Sequence, residues 1–238
     1  MIINKKIRTL IYFLFLISGI SGLIYEILWA RILTSHFGSS NIAHSIIISI
    51  FMGGLALGSY ISSQHIYKLK KISPILIYSI VELFIAISAL VSLFTLPVLS
   101  EFYINAIDLS GTSFFIINLT RFILVAVILL IPTTFMGMTL PVITQIITKD
   151  SSQKSKSIGY LYSINTLGAI IGVILSGFYL ILNLGINTTF YLAVLLNGII
   201  GIVFLIIYSK NKSTSIKNQK SKQLYEENKI LDKRFFFI

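Results

Sequence analysis

Five ionisable side chains lie inside or at the edge of long apolar stretches: Glu26, Arg31, His44, Glu82 and Arg121. A charge at the centre of a bilayer costs roughly 2.5–3.5 kcal/mol even on lenient insertion scales, so such groups are expected to face protein or a wet cavity and to have partners. The positions of Glu26, Arg121, Arg31 and His44 along their stretches predict one cluster in the outer half of a membrane bundle. There Glu26, Arg121 and Arg31 make either a structural ion pair or the wall of a functional cavity. Glu82 is predicted nearer the inner face, with no full cation at its depth, and its expected neighbours are Tyr60, Tyr160 and Asn165. That isolation makes it the sharper candidate for a substrate or proton site. The candidate substrate-binding set is Glu26, Glu82, Trp29, Tyr78 and Asn165, in which carboxylates and aromatic faces suit an organic cation by charge pairing and cation–π contact. No catalytic constellation is visible. With no cysteine and three histidines, neither a thiolate cluster nor a protein metal cage is expected, and no cofactor is implied.

The elements that must position these groups follow from composition. Of 238 residues, 55% are hydrophobic and only 11% charged, with a mean hydropathy of +0.91. A soluble domain carries about 25% charged residues, so a soluble enzyme is nearly excluded. Apolar stretches long enough to cross a bilayer core of about 30 Å occur six times, at residues 9–32, 41–63, 74–98, 113–148, 158–182 and 187–208. The fourth is too long for one straight crossing, so Pro132 and Pro141 are expected to break or kink it. The expected fold is an all-α, polytopic bundle of six transmembrane helices over residues 9–208, after a cytoplasmic N-terminus (1–8) and before a basic cytoplasmic tail (209–238). The tail is expected to be a mobile extension lying against anionic headgroups.

Lysine placement supports this topology. Lys5, Lys6 and Arg8 precede the first span, Lys68, Lys70 and Lys71 follow the second, and Lys149, Lys154 and Lys156 follow the fourth. With eight more in the tail, 17 of the 19 basic residues fall on one side, the excess expected of cytoplasmic loops. The net charge of +11 is therefore an orientation signal and no nucleic-acid footprint. Both termini are expected in the cytoplasm and the bundle in the inner (plasma) membrane. A secretory signal peptide is the weaker reading of the N-terminus, since no small-x-small cleavage site precedes a polar domain.

Small and polar residues recur at helical spacing and predict the packed faces. These are Ser18, Gly22, Glu26 and Trp29 on the first span and Tyr78, Glu82, Ala86 and Ala89 on the third, with Gly168, Gly172 and Ser176 on the fifth. The second offers Ser45, Ser49, Gly53, Ala56 and Tyr60, with Gly54 and Gly58 as a GxxxG pair beside them. Trp29, Tyr25, Tyr103 and Tyr191 are expected as interfacial belt anchors by default.

Four motifs, in order, are Ser21-Gly22-Leu23-Ile24-Tyr25-Glu26-Ile27-Leu28-Trp29-Ala30-Arg31, Phe51-Met52-Gly53-Gly54-Leu55-Ala56-Leu57-Gly58-Ser59, Pro132-Thr133-Thr134-Phe135-Met136-Gly137-Met138-Thr139-Leu140-Pro141, and Gly159-Tyr160-Leu161-Tyr162-Ser163-Ile164-Asn165-Thr166-Leu167-Gly168-Ala169. Together they resemble the membrane portion of fused spermidine-synthase-like proteins. That resemblance implies a bundle similar to half of a major-facilitator transporter, followed in the family by a soluble aminopropyltransferase-like domain. Here 30 residues follow Tyr208, and they contain no strand-Gly-x-Gly-helix unit. This chain is therefore not expected to transfer aminopropyl groups by itself.

Three functions remain open at this level. The first is a membrane module that anchors, or cooperates with, a separately encoded synthase-like protein in polyamine metabolism or transport. The second is a stand-alone secondary transporter of a small organic cation, which as one half of a twelve-span carrier requires a homodimer. The third is an inactive fragment. The lipid bilayer is a partner in all three.

Overall fold

The computed structural model describes residues 5–37, 40–65, 72–107, 113–148 and 154–235. Its elements are α1 (Lys5–Phe37), α2 (Ser40–His65), α3 (Pro74–Ile107), α4 (Phe114–Ile147) and α5 (Lys154–Leu175), a π-helical turn at Ser176–Leu180, and α6 (Ile181–Phe235). No strand occurs among the described residues. Five helical runs are long and apolar enough to cross a membrane. The count is one below the six expected because the last two segments lie on a single run, Ser155–Lys212, whose helical geometry fails only at Gly185. There φ is 78° and ψ is 172°, a backbone region essentially restricted to glycine.

Packing partners fix the relative directions of α1, α3, α5 and α6. Along α1 and α5, Tyr12 meets Tyr160, Leu16 meets Gly168 and Ile20 meets Gly172, so the two helices run in parallel. Ser18 meets Glu82 and Trp29 meets Ser92, so α3 runs the same way. After Gly185, Phe190 packs on Tyr25 and Trp29, and Phe204 packs on Tyr78, so this arm of α6 runs back. Ile7 and Tyr208 consequently join one apolar cluster at one end of the bundle.

The closest approaches are made by glycine. A Cβ on Gly54 would sit 1.9 Å from the Thr133 hydroxyl, and one on Gly58 would sit 1.8 Å from the Thr134 carbonyl oxygen. A Cβ on Gly168 would sit 2.1 Å from the Leu16 carbonyl oxygen. Backbones in such contact hold α2 on α4 and α5 on α1 through dense van der Waals packing, the main attraction available where the surroundings are as apolar as the side chains.

Several expectations are corrected. Pro132 and Pro141 do not end a helix, since α4 runs from Phe114 to Ile147 through both. Gly54, Leu55 and Gly58 of α2 pack against Thr133, Thr134 and Gly137 between the two prolines, and this clamp holds the helix where the proline backbone cannot. On α2 the GxxxG edge is the packed face, whereas Ser45, Ser49, Ala56 and Tyr60 are exposed. Tyr25 and Trp29 are fully buried and anchor no interface. Tyr191 is about half exposed, and the side chain of Tyr103 lies outside the described residues. The segment expected to be a mobile tail continues α6 to Phe235. No glycine or proline follows Gly201, so nothing in the chain interrupts helix propagation.

The outer surface is apolar: Phe13, Phe94, Phe114, Val127 and Phe178 are each 58–76% exposed, and further aliphatic side chains are exposed on every helix. Contiguous apolar surface on this scale needs a non-aqueous neighbour.

Candidate functional site: a buried carboxylate between two apolar clusters

Two apolar clusters fill the bundle. One surrounds Tyr25, Trp29 and Phe190, and the other surrounds Phe15, Tyr78 and Phe204. Polar residues mark the junction on each of three helices. Ser18 and Ser21 lie between Phe15 and Ile24 on α1, Glu82 lies just past Tyr78 on α3, and Asn197 lies between Ala193 and Ile200 on α6.

Glu82 is wholly buried at this junction. The Ser18 hydroxyl donates to its Oε1 at 2.8 Å, and Asn197 Nδ2 donates to its Oε2 at 2.6 Å. Tyr78, one helical turn earlier, stands beside the carboxylate with its ring tilted against Phe204, 4.3 Å between centroids. Ser79 on the same helix donates to the Gly201 carbonyl at 2.6 Å, which locks α3 to α6 in the register that brings Asn197 to Glu82. Two neutral donors from two other helices thus serve a carboxylate placed where desolvation strongly penalises an isolated charge.

The amide of Asn197 is only half used. Its Oδ1 is buried with no hydrogen-bond partner, and Asn197 lines a central cavity of about 70 Å³. Ser18, Thr139 and Asn165 supply the other polar groups of that cavity, and Gly19, Gly22 and Met136 contribute to its walls. At the ~30 Å³ that a water molecule occupies in the liquid, the space suits a few waters or one primary ammonium group. An orphan acceptor one hydrogen-bonded step from a carboxylate is a place where a donor of positive charge can be received.

The neighbours expected for Glu82 are thus only partly those found. Tyr60 and Tyr160 are exposed, at 64% and 55%, whereas Asn165 reaches the same cavity from α5. Asn197 was not among the candidate residues, although an amide in the middle of an apolar segment is a signal visible in the sequence. Trp29 is buried in the bundle; its Nε1 donates to the Ser92 hydroxyl at 2.8 Å, and its ring stacks on Tyr25 at 5.5 Å.

Glu26, Arg31 and His44 line a second cavity, of about 290 Å³, between α1, α2 and the π-helical turn. Arg121 is not brought to it. Glu26 faces α2 and α5, whereas α4, which carries Arg121, packs mainly on α2 and α3. Arg121 Nη1 instead donates to Asn118 Oδ1 at 3.3 Å on its own helix.

The chain matches no family model, no curated protein and no solved structure. The family resemblance accordingly rests on the four sequence motifs themselves.

Proposed function

We propose that this chain is a six-span inner-membrane protein, with both ends in the cytoplasm, whose central cavity binds the ammonium group of a small organic cation through Glu82. The observation that carries the reading is the fully buried Glu82 carboxylate, held by Ser18 and Asn197, both of which line the adjoining cavity. Six crossings are supported by length. The Ser155–Lys212 run has 58 residues, and at about 1.5 Å per residue it would be nearly three times the ~30 Å of a hydrocarbon core. A reversal at Gly185 resolves the excess. The lysine asymmetry supports the orientation.

The family resemblance supports reading this site as part of a module that works beside a separately encoded synthase-like protein, as anchor or as conduit for a polyamine. Co-purification with a soluble aminopropyltransferase-like protein supports that part of the proposal; no association, together with unchanged cellular polyamines on deletion, counts against it. The cation site has its own test. Binding of radiolabelled putrescine or spermidine to the purified protein is expected to be weakened about tenfold or more by Glu82→Gln, which removes the charge and preserves the shape, and to be little changed by Glu26→Gln. Equal binding by wild type and Glu82→Gln would remove Glu82 from the site.

A further inference from the structure

The cavity of about 290 Å³ lies at the end of the bundle away from Lys5, and its charge pattern does not suit a polyamine. Glu26 sits in it half-buried, and no hydrogen-bond donor or ion-pair partner among the described residues reaches its carboxylate. Arg31 and His44 stand at the same cavity from α1 and α2. A ligand carrying only positive charge meets the guanidinium, and one carrying only negative charge meets the carboxylate. A ligand with an ammonium and an anionic group a few ångströms apart satisfies both.

The remaining wall says where such a ligand comes from. Ile48, Val173 and Phe178 line the cavity and are also 48%, 39% and 76% exposed on the outside of the bundle, so the apolar part of the slot opens sideways. The π-helical turn at Ser176–Leu180 borders this opening. It carries Gly177, where a Cβ would meet nothing within 4 Å, and the exposed Phe178. Single π turns inside α-helices are frequent at functional sites.

We propose that this slot binds a zwitterionic phospholipid with a primary ammonium headgroup, of the phosphatidylethanolamine type. Glu26 receives the ammonium, Arg31 with His44 receives the phosphate, and an acyl chain runs out over Ile48 and Phe178. The shared chemistry, an aminoethyl phosphate, also exists as a free solute, and the experiment separates the two.

The purified full-length protein in detergent is titrated with dihexanoyl phosphatidylethanolamine, dihexanoyl phosphatidylglycerol and soluble phosphoethanolamine, read by native mass spectrometry. The ethanolamine lipid is expected to bind saturably and about tenfold more tightly than the glycerol lipid, which keeps the phosphate and lacks the ammonium. Glu26→Gln and Arg31→Gln are each expected to weaken it about tenfold while leaving the unfolding temperature unchanged. Ile48→Trp, which fills the sideways opening and touches neither charge, is expected to exclude the lipid and spare phosphoethanolamine. Phosphoethanolamine binding as tightly as the lipid in wild type would keep the charge pairing and assign the ligand to water. Equal binding of the two lipids, or wild-type affinity in both charge variants, overturns the proposal. Should the charge variants fail to fold, Ile48→Trp decides, and unaltered lipid binding in it is an overturning result.

Discussion

Gly58→Leu is expected to yield little folded protein, whereas Gly53→Leu, five residues earlier on the same helix, is expected to be nearly silent. At Gly58 a Cβ would lie 1.8 Å from the Thr134 carbonyl oxygen and 3.0 Å from the Gly137 Cα, both backbone atoms of α4 that no rotamer change can move. The larger side chain must drive α2 off α4. Overpacking of a dense core costs about 1–3 kcal/mol and sometimes more, and a clash with backbone on a helix crossing belongs at or above the top of that range. At Gly53 a Cβ meets nothing within 4 Å, so Leu enters open space and the expected change is within ~0.5 kcal/mol. Fluorescence-detected size exclusion and thermal unfolding in detergent compare the two. Similar loss of folded material in both variants would show that the α2–α4 approach is not the tight joint described above.

Glu82→Ala carries the second large effect. It removes the acceptor for Ser18 and for Asn197 Nδ2 at once and leaves a void beside Tyr78. One buried and one half-buried donor without partners, together with the lost packing, are expected to lower stability by about 2–4 kcal/mol. Glu82→Gln should cost much less. Its carbonyl can keep the Asn197 bond, and the Ser18 hydroxyl can turn to accept from the new amide. The pair of variants separates structure from function: alanine is expected to unfold early, and glutamine to stay folded but lose the cation. Equal unfolding temperatures for alanine and wild type would mean that the Ser18 and Asn197 bonds contribute nothing to holding α1, α3 and α6 together.

Much of this architecture is legible in the sequence because lipid-crossing helices announce themselves by length and apolarity, and close crossings by glycine at four-residue spacing. Gly168 and Gly172 do meet α1, and Gly54 and Gly58 do meet α4. Periodicity defines a stripe without saying which neighbour covers it. On α2 two stripes compete, and the structure packs the glycine edge while Ser45, Ser49 and Tyr60 stay outside. Depth along a helix cannot supply Glu82 with partners 64 and 115 residues distant in sequence. The burial of Trp29 is likewise hidden in the sequence, since its hydrogen-bond partner, Ser92, lies 63 residues away on α3. Hydropathy locates the break, which the structure confines to Gly185, and the π turn just before it has no compositional signature. The Arg121 expectation fails because equal depth does not make two helices neighbours: α4 packs mainly on α2 and α3, and Glu26 faces α2 and α5.

The central claim is that the chain crosses the membrane six times and reverses at Gly185, returning its end to the side on which it began. The natural absence of cysteine permits a direct measurement. Single cysteines at Lys6, Asn183 and Ser213 are exposed in intact cells, and then in lysed cells, to a membrane-impermeant maleimide. The cysteine at Asn183 is predicted to react in intact cells, and those at Lys6 and Ser213 only after lysis. Labelling of the Ser213 cysteine from outside, or protection of the Asn183 cysteine until lysis, would contradict the account.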